Sequence, residues 1–203
     1  MKKELPYFYI GASYGGNQDW FSTFMMRLGG CGAETACEVC IYLDLYKGCS
    51  LYPFDKNNLT KADYVAFADV MKPYLHPRMS GIDRLSLYID GFGAYLRDRG
   101  SAVMLSGVEG TEPVEVAAAA LKSQLDSGLP VPFLCLNHHD PRFKDYEWHW
   151  FILNGYEERD GALWVKAVTY SMYEWLDFAA LWASGRAKKG GLILLELPDN
   201  QEE

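Results

Sequence analysis

One cysteine of this sequence lies where a glycine-rich loop turns into a helix. The run Gly29-Gly30-Cys31-Gly32-Ala33-Glu34-Thr35-Ala36 is followed by small and apolar residues with a period near 3.6, which predicts a helix from about Gly32 to Tyr46. Unpaired N–H groups at a helix N-terminus favour an anion, and the thiolate is the reactive form of cysteine. We therefore expect Cys31 to be a nucleophile with a lowered pKa.

A histidine far downstream opens a second motif. His149 begins an apolar run of strand length that ends in Gly155-Tyr156, where the glycine predicts a turn. Imidazole is the usual base for a nucleophilic thiol, and this order of residues suits a Cys–His pair. We expect His149 to act as general base and acid, with a hydrogen-bonded structural histidine as the alternative.

Together and in this order, the two motifs resemble those of papain-like cysteine peptidases. The nearer likeness is to the branch that contains the double-glycine leader peptidases of bacteriocin exporters. There, Cys-Gly-x-x-x-Ala opens the central helix and a strand headed by histidine ends in Gly-Tyr, as Cys31 to Ala36 and His149 to Tyr156 do here. The Cys-Gly-Ser run of papain itself is absent. The resemblance implies a papain-like α+β fold and hydrolysis of a peptide or small amide by a bacterial enzyme without metal or other cofactor.

The resemblance also implies an oxyanion donor upstream of the cysteine. Papain-like enzymes carry a glutamine there, whose side-chain N–H points at the developing oxyanion. Gln18 is the matching residue type, and Asn17 is the alternative. The separation from Cys31 is longer than in the family, so residues 21–28 must bulge out if Gln18 is to reach the site.

A third triad member is the point at which this sequence departs from the family. Papain-like enzymes orient the histidine with Asn or Asp at the end of the next strand. Here that strand ends in Val168-Thr169-Tyr170-Ser171, so Thr169 is the nearest counterpart and Ser171 the next. A hydroxyl can fix the imidazole tautomer, but it carries no charge to stabilise an imidazolium.

Two other clusters of ligand-type residues have simpler interpretations. His138 and His139, together with His149, offer three imidazoles for zinc, but their spacing is that of a flexible loop rather than His-Glu-x-x-His. We expect a solvated loop there and no metal. Cys37 and Cys40 form a Cys-x-x-Cys pair on the apolar face of the predicted helix, which indicates core packing.

Length and composition favour one compact domain. The chain has 203 residues, of which 49% are hydrophobic, so one substantial core is expected. We predict a single papain-like domain over 1–203, with a mainly helical part at 1–100 carrying the cysteine and a mainly β part at 101–203 carrying the histidine. The oligomeric state stays open.

Charge and cysteine usage narrow the partners and the compartment. The net charge of -8 disfavours nucleic acid and anionic membranes. The first residues have no long apolar core, so neither a signal peptide nor a membrane span is expected. Five cysteines without the density of a disulfide scaffold fit a reducing compartment. We expect a cytoplasmic protein.

The rest of the pattern predicts helices followed by a mostly antiparallel sheet. Further helices are predicted after the cap Thr60, from Ile82 to Arg97, after the cap Thr111, and around Trp175 to Trp182. Gly91 and Gly93 in the second of these would let another backbone approach. Strands are predicted at 102–105, 131–136, 149–156, 163–168 and 192–197, with a hairpin turn at Asp160-Gly161.

These features predict a cysteine peptidase or a related amide or ester acyl-transfer enzyme. Cys31 would attack the carbonyl, Gln18 and the N–H of Cys31 would hold the oxyanion, and His149 would protonate the leaving group. The residues do not choose among peptidase, amidase and acyltransferase. The alternative is a papain-fold protein that binds a peptide or partner without catalysis.

Overall fold

A large antiparallel sheet is the centre of the fold in residues 1–198, which the computed structural model describes. Its strands are Lys2–Glu4 (β1), Met104–Glu109 (β4), Val131–Cys135 (β5), His149–Arg159 (β6), Ala162–Thr169 (β7), Met172–Asp177 (β8) and Gly191–Glu196 (β9). The order across the sheet is β4-β9-β5-β6-β7-β8, and β1 joins it by pairing with β6. Two short strands, Tyr9–Ile10 (β2) and Ser13–Tyr14 (β3), form a separate hairpin.

Helices pack around this sheet, so the chain has the expected α+β class. They span Phe24–Gly29 (α1), Cys31–Tyr46 (α2), Lys61–Met71 (α3), Leu85–Asp98 (α4), Val114–Asp126 (α5) and Phe178–Trp182 (α6). Helix α2 is buried at every residue from Cys31 to Asp44, with α3 and β6 packed against it. In the part of the chain that the structure describes, no helix combines the length and apolar character needed to cross a membrane.

Several elements begin and end where local sequence signals predicted. Helix α2 starts within one residue of the predicted position. Thr60 caps α3, since its hydroxyl accepts a hydrogen bond from the N–H of Asp63 at 3.1 Å. The turn between β6 and β7 has φ of 50° at Asp160 and 80° at Gly161, as a two-residue hairpin requires.

Strand β6 corrects the prediction of a turn at Gly155. The strand continues to Arg159, and its register shifts between Leu153 and Tyr156. Strand β1 lies against this segment, and a Cβ on Gly155 would come 3.0 Å from the carbonyl oxygen of Lys3. The glycine therefore marks an irregularity in a long strand, where another backbone approaches closely.

Two predicted helices begin later in the chain than their patterns suggested. Trp175 lies on β8, and α6 starts only after Asp177, whose Oδ1 accepts from the N–H of Ala180 at 3.0 Å. Helix α5 begins after Pro113, so Thr111 does not cap it. Residues 1–100 contain four of the helices and the strands β1 to β3, whereas residues 101–198 contain the other six strands with α5 and α6. One hydrophobic cluster contains residues of both parts, among them Ile41, Tyr88, Trp150 and Leu192.

The glycines of α4 give a matched test of this packing. A Cβ on Gly91 would lie 2.3 Å from the carbonyl oxygen of Tyr74, whereas one on Gly93 would meet only the flexible end of Arg97 at 3.3 Å. We expect Gly91→Ala to lower the free energy of unfolding by about 1–3 kcal/mol through overpacking. Gly93→Ala should leave it unchanged or raise it by up to about 1 kcal/mol through helix propensity. Urea denaturation measures both, and equal effects of the two substitutions would contradict the close approach at Gly91.

Candidate active site

Cys31 is the first residue of α2 and is only 3% exposed. Gly30 separates α1 from α2, and a Cβ on it would lie 2.3 Å from the carbonyl oxygen of Met26. Because Gly30 has no side chain, α2 can begin directly after this single residue at the end of α1. The carbonyl of Gly30 accepts the first helical hydrogen bond, from the N–H of Glu34 at 2.8 Å. The N–H groups before Glu34 belong to the helix N-terminus, where intrahelical acceptors are lacking.

His149 is the first residue of β6 and is equally buried. Its Nε2 lies 2.7 Å from the hydroxyl oxygen of Thr169, the last residue of β7. The ring of Tyr170 stacks on the imidazole with a centroid separation of 4.7 Å and an angle of 3° between the planes. If Thr169 accepts from Nε2–H, then Nδ1 is the basic nitrogen of the neutral ring. The imidazole is thus oriented both through its edge and through its face.

Cys31, His149 and Gln18 line one surface pocket of about 360 Å³. Thr169 is not part of the lining and contacts the site through His149. At the rim, the backbone of Arg78 approaches Gly29 closely, since a Cβ on Gly29 would lie 2.6 Å from the carbonyl oxygen of Arg78. The remaining lining residues are Leu28, Gly29, Met79, Ser80, Gly81, Glu147, Trp148 and Tyr170.

Gln18 reaches the pocket from a short 3₁₀ helix, Gln18–Trp20. Its Nε2 donates to the carbonyl oxygen of Arg27 at 2.9 Å, which fixes the orientation of the amide. An amide nitrogen carries two hydrogens, so one N–H is left for a second acceptor. The long separation between Gln18 and Cys31 is taken up by helix α1 and its flanking residues, in place of an irregular bulge.

The alternatives Asn17 and Ser171 bond to each other. The Nδ2 of Asn17 donates to the hydroxyl oxygen of Ser171 at 3.3 Å, and Oδ1 of Asn17 accepts from the N–H of Asp19 at 2.9 Å. The backbone N–H of Ser171 donates to the carbonyl oxygen of Gly16. Neither residue lines the pocket that contains Cys31. The structure therefore brings Gln18 and Thr169 to the site and leaves Asn17 and Ser171 outside it.

The expected lowering of the Cys31 pKa is wrong. Burial raises the pKa of this thiol to about 11, a value that includes a smaller contribution from an ionised carboxyl of Glu34. The backbone N–H groups of Trp150 and Gly32 lower the pKa without offsetting burial. Burial also lowers the pKa of His149 to about 4. Loss of hydration can change the pKa of a buried group by several pH units, whereas a helix terminus changes the pKa of an exposed group by less than one pH unit. The thiol and the imidazole are therefore both neutral at pH 7.

The histidine loop differs from its prediction as well. His138 is buried, its Nδ1 accepts from the N–H of Asp140 at 3.0 Å, and its Nε2 lies 3.2 Å from the carbonyl oxygen of Ala180. A solvated loop is thus wrong for His138, which is held by hydrogen bonds against α6. His139 is exposed, with Nδ1 3.0 Å from the carbonyl oxygen of Ser184. Within residues 1–198, no three side chains of His, Cys, Asp or Glu are placed to hold a metal ion.

Two aromatic residues of the pocket were missed by sequence reasoning. Trp148 and Tyr170 directly precede and follow the predicted site residues His149 and Thr169, and their backbone φ angles are 55° and 51°. This left-handed conformation costs roughly 1–2 kcal/mol in a residue with a Cβ. Such strain often accompanies a functional site. The only sequence signal was an aromatic residue adjacent to each predicted site residue.

Comparison of the sequence with known protein-family models and with curated proteins gives no match.

The raised pKa of Cys31 predicts a steep pH dependence of its alkylation. Because thiolate is the reacting form, the rate with iodoacetamide should rise about tenfold per pH unit between about pH 7 and pH 10. Peptide mapping by mass spectrometry assigns the adduct, and Cys31→Ser is the control that removes it. A rate that levels off near the ordinary thiol pKa of about 8.5, or below it, would contradict the effect of burial.

Proposed function

We propose that this chain is a papain-like cysteine hydrolase that acts on peptides or related amide and ester acyl donors. One observation carries the proposal. His149, oriented by the Thr169 hydroxyl at 2.7 Å, lines the same pocket as Cys31 at the N-terminus of α2. A thiol, a base and a group that orients the base are the elements that covalent acyl transfer requires.

The neutral state of both groups determines how the reaction starts. With a pKa of about 11 for Cys31, only about one thiol in 10⁴ is ionised at pH 7. The proton must therefore pass from Sγ to Nδ1 of His149 as the bond between Sγ and the carbonyl carbon forms. The C=O electron pair moves to the oxygen, and the product is a tetrahedral oxyanion beside an imidazolium.

Donors around the helix N-terminus would stabilise this oxyanion. The N–H of Cys31 and the second N–H of Gln18 are the candidates, and removal of one such donor typically costs about 10²–10³ in rate. Nδ1–H of the imidazolium then protonates the leaving amine or alcohol as the C–N or C–O bond breaks, which leaves a thioester on Cys31. Water, deprotonated by Nδ1, hydrolyses the thioester and restores the thiol.

A non-catalytic binding protein is the second candidate, and specific features favour it. The pKa of Cys31 is raised and that of His149 is lowered, so a thiolate–imidazolium ion pair is disfavoured. Thr169 supplies no charge to stabilise an imidazolium. The pocket itself would then bind a peptide or partner through its exposed apolar rim, which includes Leu28, Met79 and Trp148.

A panel of acyl substrates separates the two candidates. Purified protein is assayed with peptide amides, simple amides and activated esters, alongside Cys31→Ala and the control Cys49→Ala, which removes a partly buried thiol outside the pocket. The enzyme proposal predicts turnover by wild type and Cys49→Ala, and none by Cys31→Ala. Retention of activity in Cys31→Ala would refute it. Failure of the whole panel, together with peptide binding, would support the binding protein.

The role of Thr169 can be tested through its hydroxyl. Thr169→Val removes the contact with His149 at nearly constant volume and should lower kcat about tenfold, the value of one neutral hydrogen bond. Thr169→Asn should maintain or raise kcat, because an amide oxygen can also accept from Nε2–H. Steady-state kinetics measure both, with Ser171→Ala as the matched hydroxyl that does not contact His149. An equal loss in Ser171→Ala would count against a specific role for Thr169.

A further inference from the structure

Helix α2 buries two carboxyl groups one turn apart beside the segment that carries Gln18. Glu38 is fully paired: Oε1 accepts from the N–H of Gly16 at 2.6 Å, and Oε2 accepts from the hydroxyl of Tyr7 at 2.7 Å. Glu34 is 3% exposed and faces the backbone N–H of Gln18. Glu38 therefore connects Gly16 to the helix that begins with Cys31, and Glu34 lies one turn closer to Cys31, near the N–H of Gln18.

Glu34 has an incomplete set of partners. Among the described residues, its Oε2 has no hydrogen-bond partner, and the same is true of Oε1 of Gln18 and the hydroxyl of Tyr64. A buried ionised carboxylate with a free oxygen is costly, because nothing replaces the lost water. A protonated carboxyl has less charge to solvate and has an O–H that can donate.

The charges around Glu34 also oppose its ionisation. Burial and the adjacent Glu38 raise its pKa well above the usual range, Asp19 adds to this effect, and only the N–H of Gln18 lowers it. No cation of residues 1–198 is among the groups that shift this pKa. Burial raises the pKa of the thiol of Cys31 and of several hydroxyl groups around it, and an ionised Glu34 would raise these pKa values further. Those hydroxyl groups belong to Tyr7, Tyr64 and Tyr170.

We propose that Glu34 is an uncharged positioning residue, whose neutral carboxyl holds the Gln18 segment against the first turn of α2 without placing negative charge beside Cys31. Both the thiolate and the oxyanion of acyl transfer would be repelled by an ionised Glu34, since like charges within a few ångströms destabilise one another. The link to Gln18 as an oxyanion donor rests on the proposed function. The protonation state of Glu34 does not.

The pH dependence of stability tests the protonation state. If native Glu34 keeps its proton, the unfolded chain releases it above a pKa of about 4.3, and the stability it contributes is lost as the pH rises toward the native pKa. Relative to Glu34→Gln, the wild-type unfolding constant should then increase about tenfold per pH unit from about pH 5 upward. Glu115→Gln is the matched control, since Glu115 lies exposed in the first turn of α5, and its curve should run parallel to wild type. The proposal is overturned if the unfolding constant of Glu34→Gln depends on pH in the same way as that of wild type.

The wild-type protein offers the same test without a substitution. Burial raises the pKa of Glu38 to about 7, so at about pH 8 Glu38 and the exposed carboxyl groups are mostly ionised. The infrared spectrum at that pH should still show the C=O stretching band of a protonated carboxyl, which is that of Glu34. Absence of that band would also overturn the proposal, even if Glu34→Gln does not fold.

Reactivity and turnover test the positioning role. At pH 7, iodoacetamide should alkylate Cys31 in Glu34→Gln at the wild-type rate within about twofold, because a neutral amide replaces a neutral carboxyl. A roughly tenfold faster reaction would show that wild-type Glu34 is charged. In turnover, Glu34→Ala should lower kcat about tenfold and Glu34→Gln should restore it, because only the amide can accept from the N–H of Gln18. Equal kcat in both variants would refute the positioning role.

Stability, infrared and alkylation measurements do not require turnover. They therefore test Glu34 even if the chain hydrolyses no acyl substrate, in which case the proposed function fails and the protonation result stands.

Discussion

The removal of Cys31 and His149 from water is the constraint on which the site depends. Helix α2 enters the interior with its first residue, so the thiol at its N-terminus is buried along with most of the helix. The energy lost by desolvating a thiolate exceeds what the helix terminus and nearby N–H groups return. The same burial keeps the imidazole neutral. Any chemistry at this site must begin from two uncharged groups and generate charge only as the substrate reacts.

The sheet supplies the geometry that such a reaction needs. Strands β6 and β7 pair antiparallel, with Ile152 opposite Val168. This register brings the start of β6 beside the end of β7, and so places Thr169 within hydrogen-bond distance of His149. Backbone strain at Trp148 and Tyr170 is maintained there by the surrounding pairing. A neutral imidazole with one nitrogen fixed by a hydroxyl has its other nitrogen as the base, which suits proton transfer from a thiol.

Local signals predicted those parts of the fold that depend on local structure. The start of α2, the Thr60 cap and the Asp160-Gly161 turn follow from propensity and turn chemistry. Strand β1 and the continuation of β6 past Gly155 depend on pairing between distant segments, so neither has a clear local pattern. Trp175 fits a helix by spacing, but pairing of β8 with β7 decides its state. For the candidate site, the motifs suggested Cys31 and His149, and the family resemblance suggested Gln18 and Thr169. The direction of the Cys31 pKa shift was not predictable, because it depends on tertiary burial.

Direct detection of an acyl-enzyme tests the central claim, which is that Cys31 performs covalent acyl transfer with His149 as its base. Wild-type protein is mixed with an activated ester, quenched in acid within seconds, and analysed by intact and peptide mass spectrometry. The account predicts one acyl group, attached to Cys31, which decays on longer incubation, is absent from Cys31→Ala and forms much more slowly in His149→Gln. No adduct at Cys31, or an adduct that forms equally fast in His149→Gln, would contradict it.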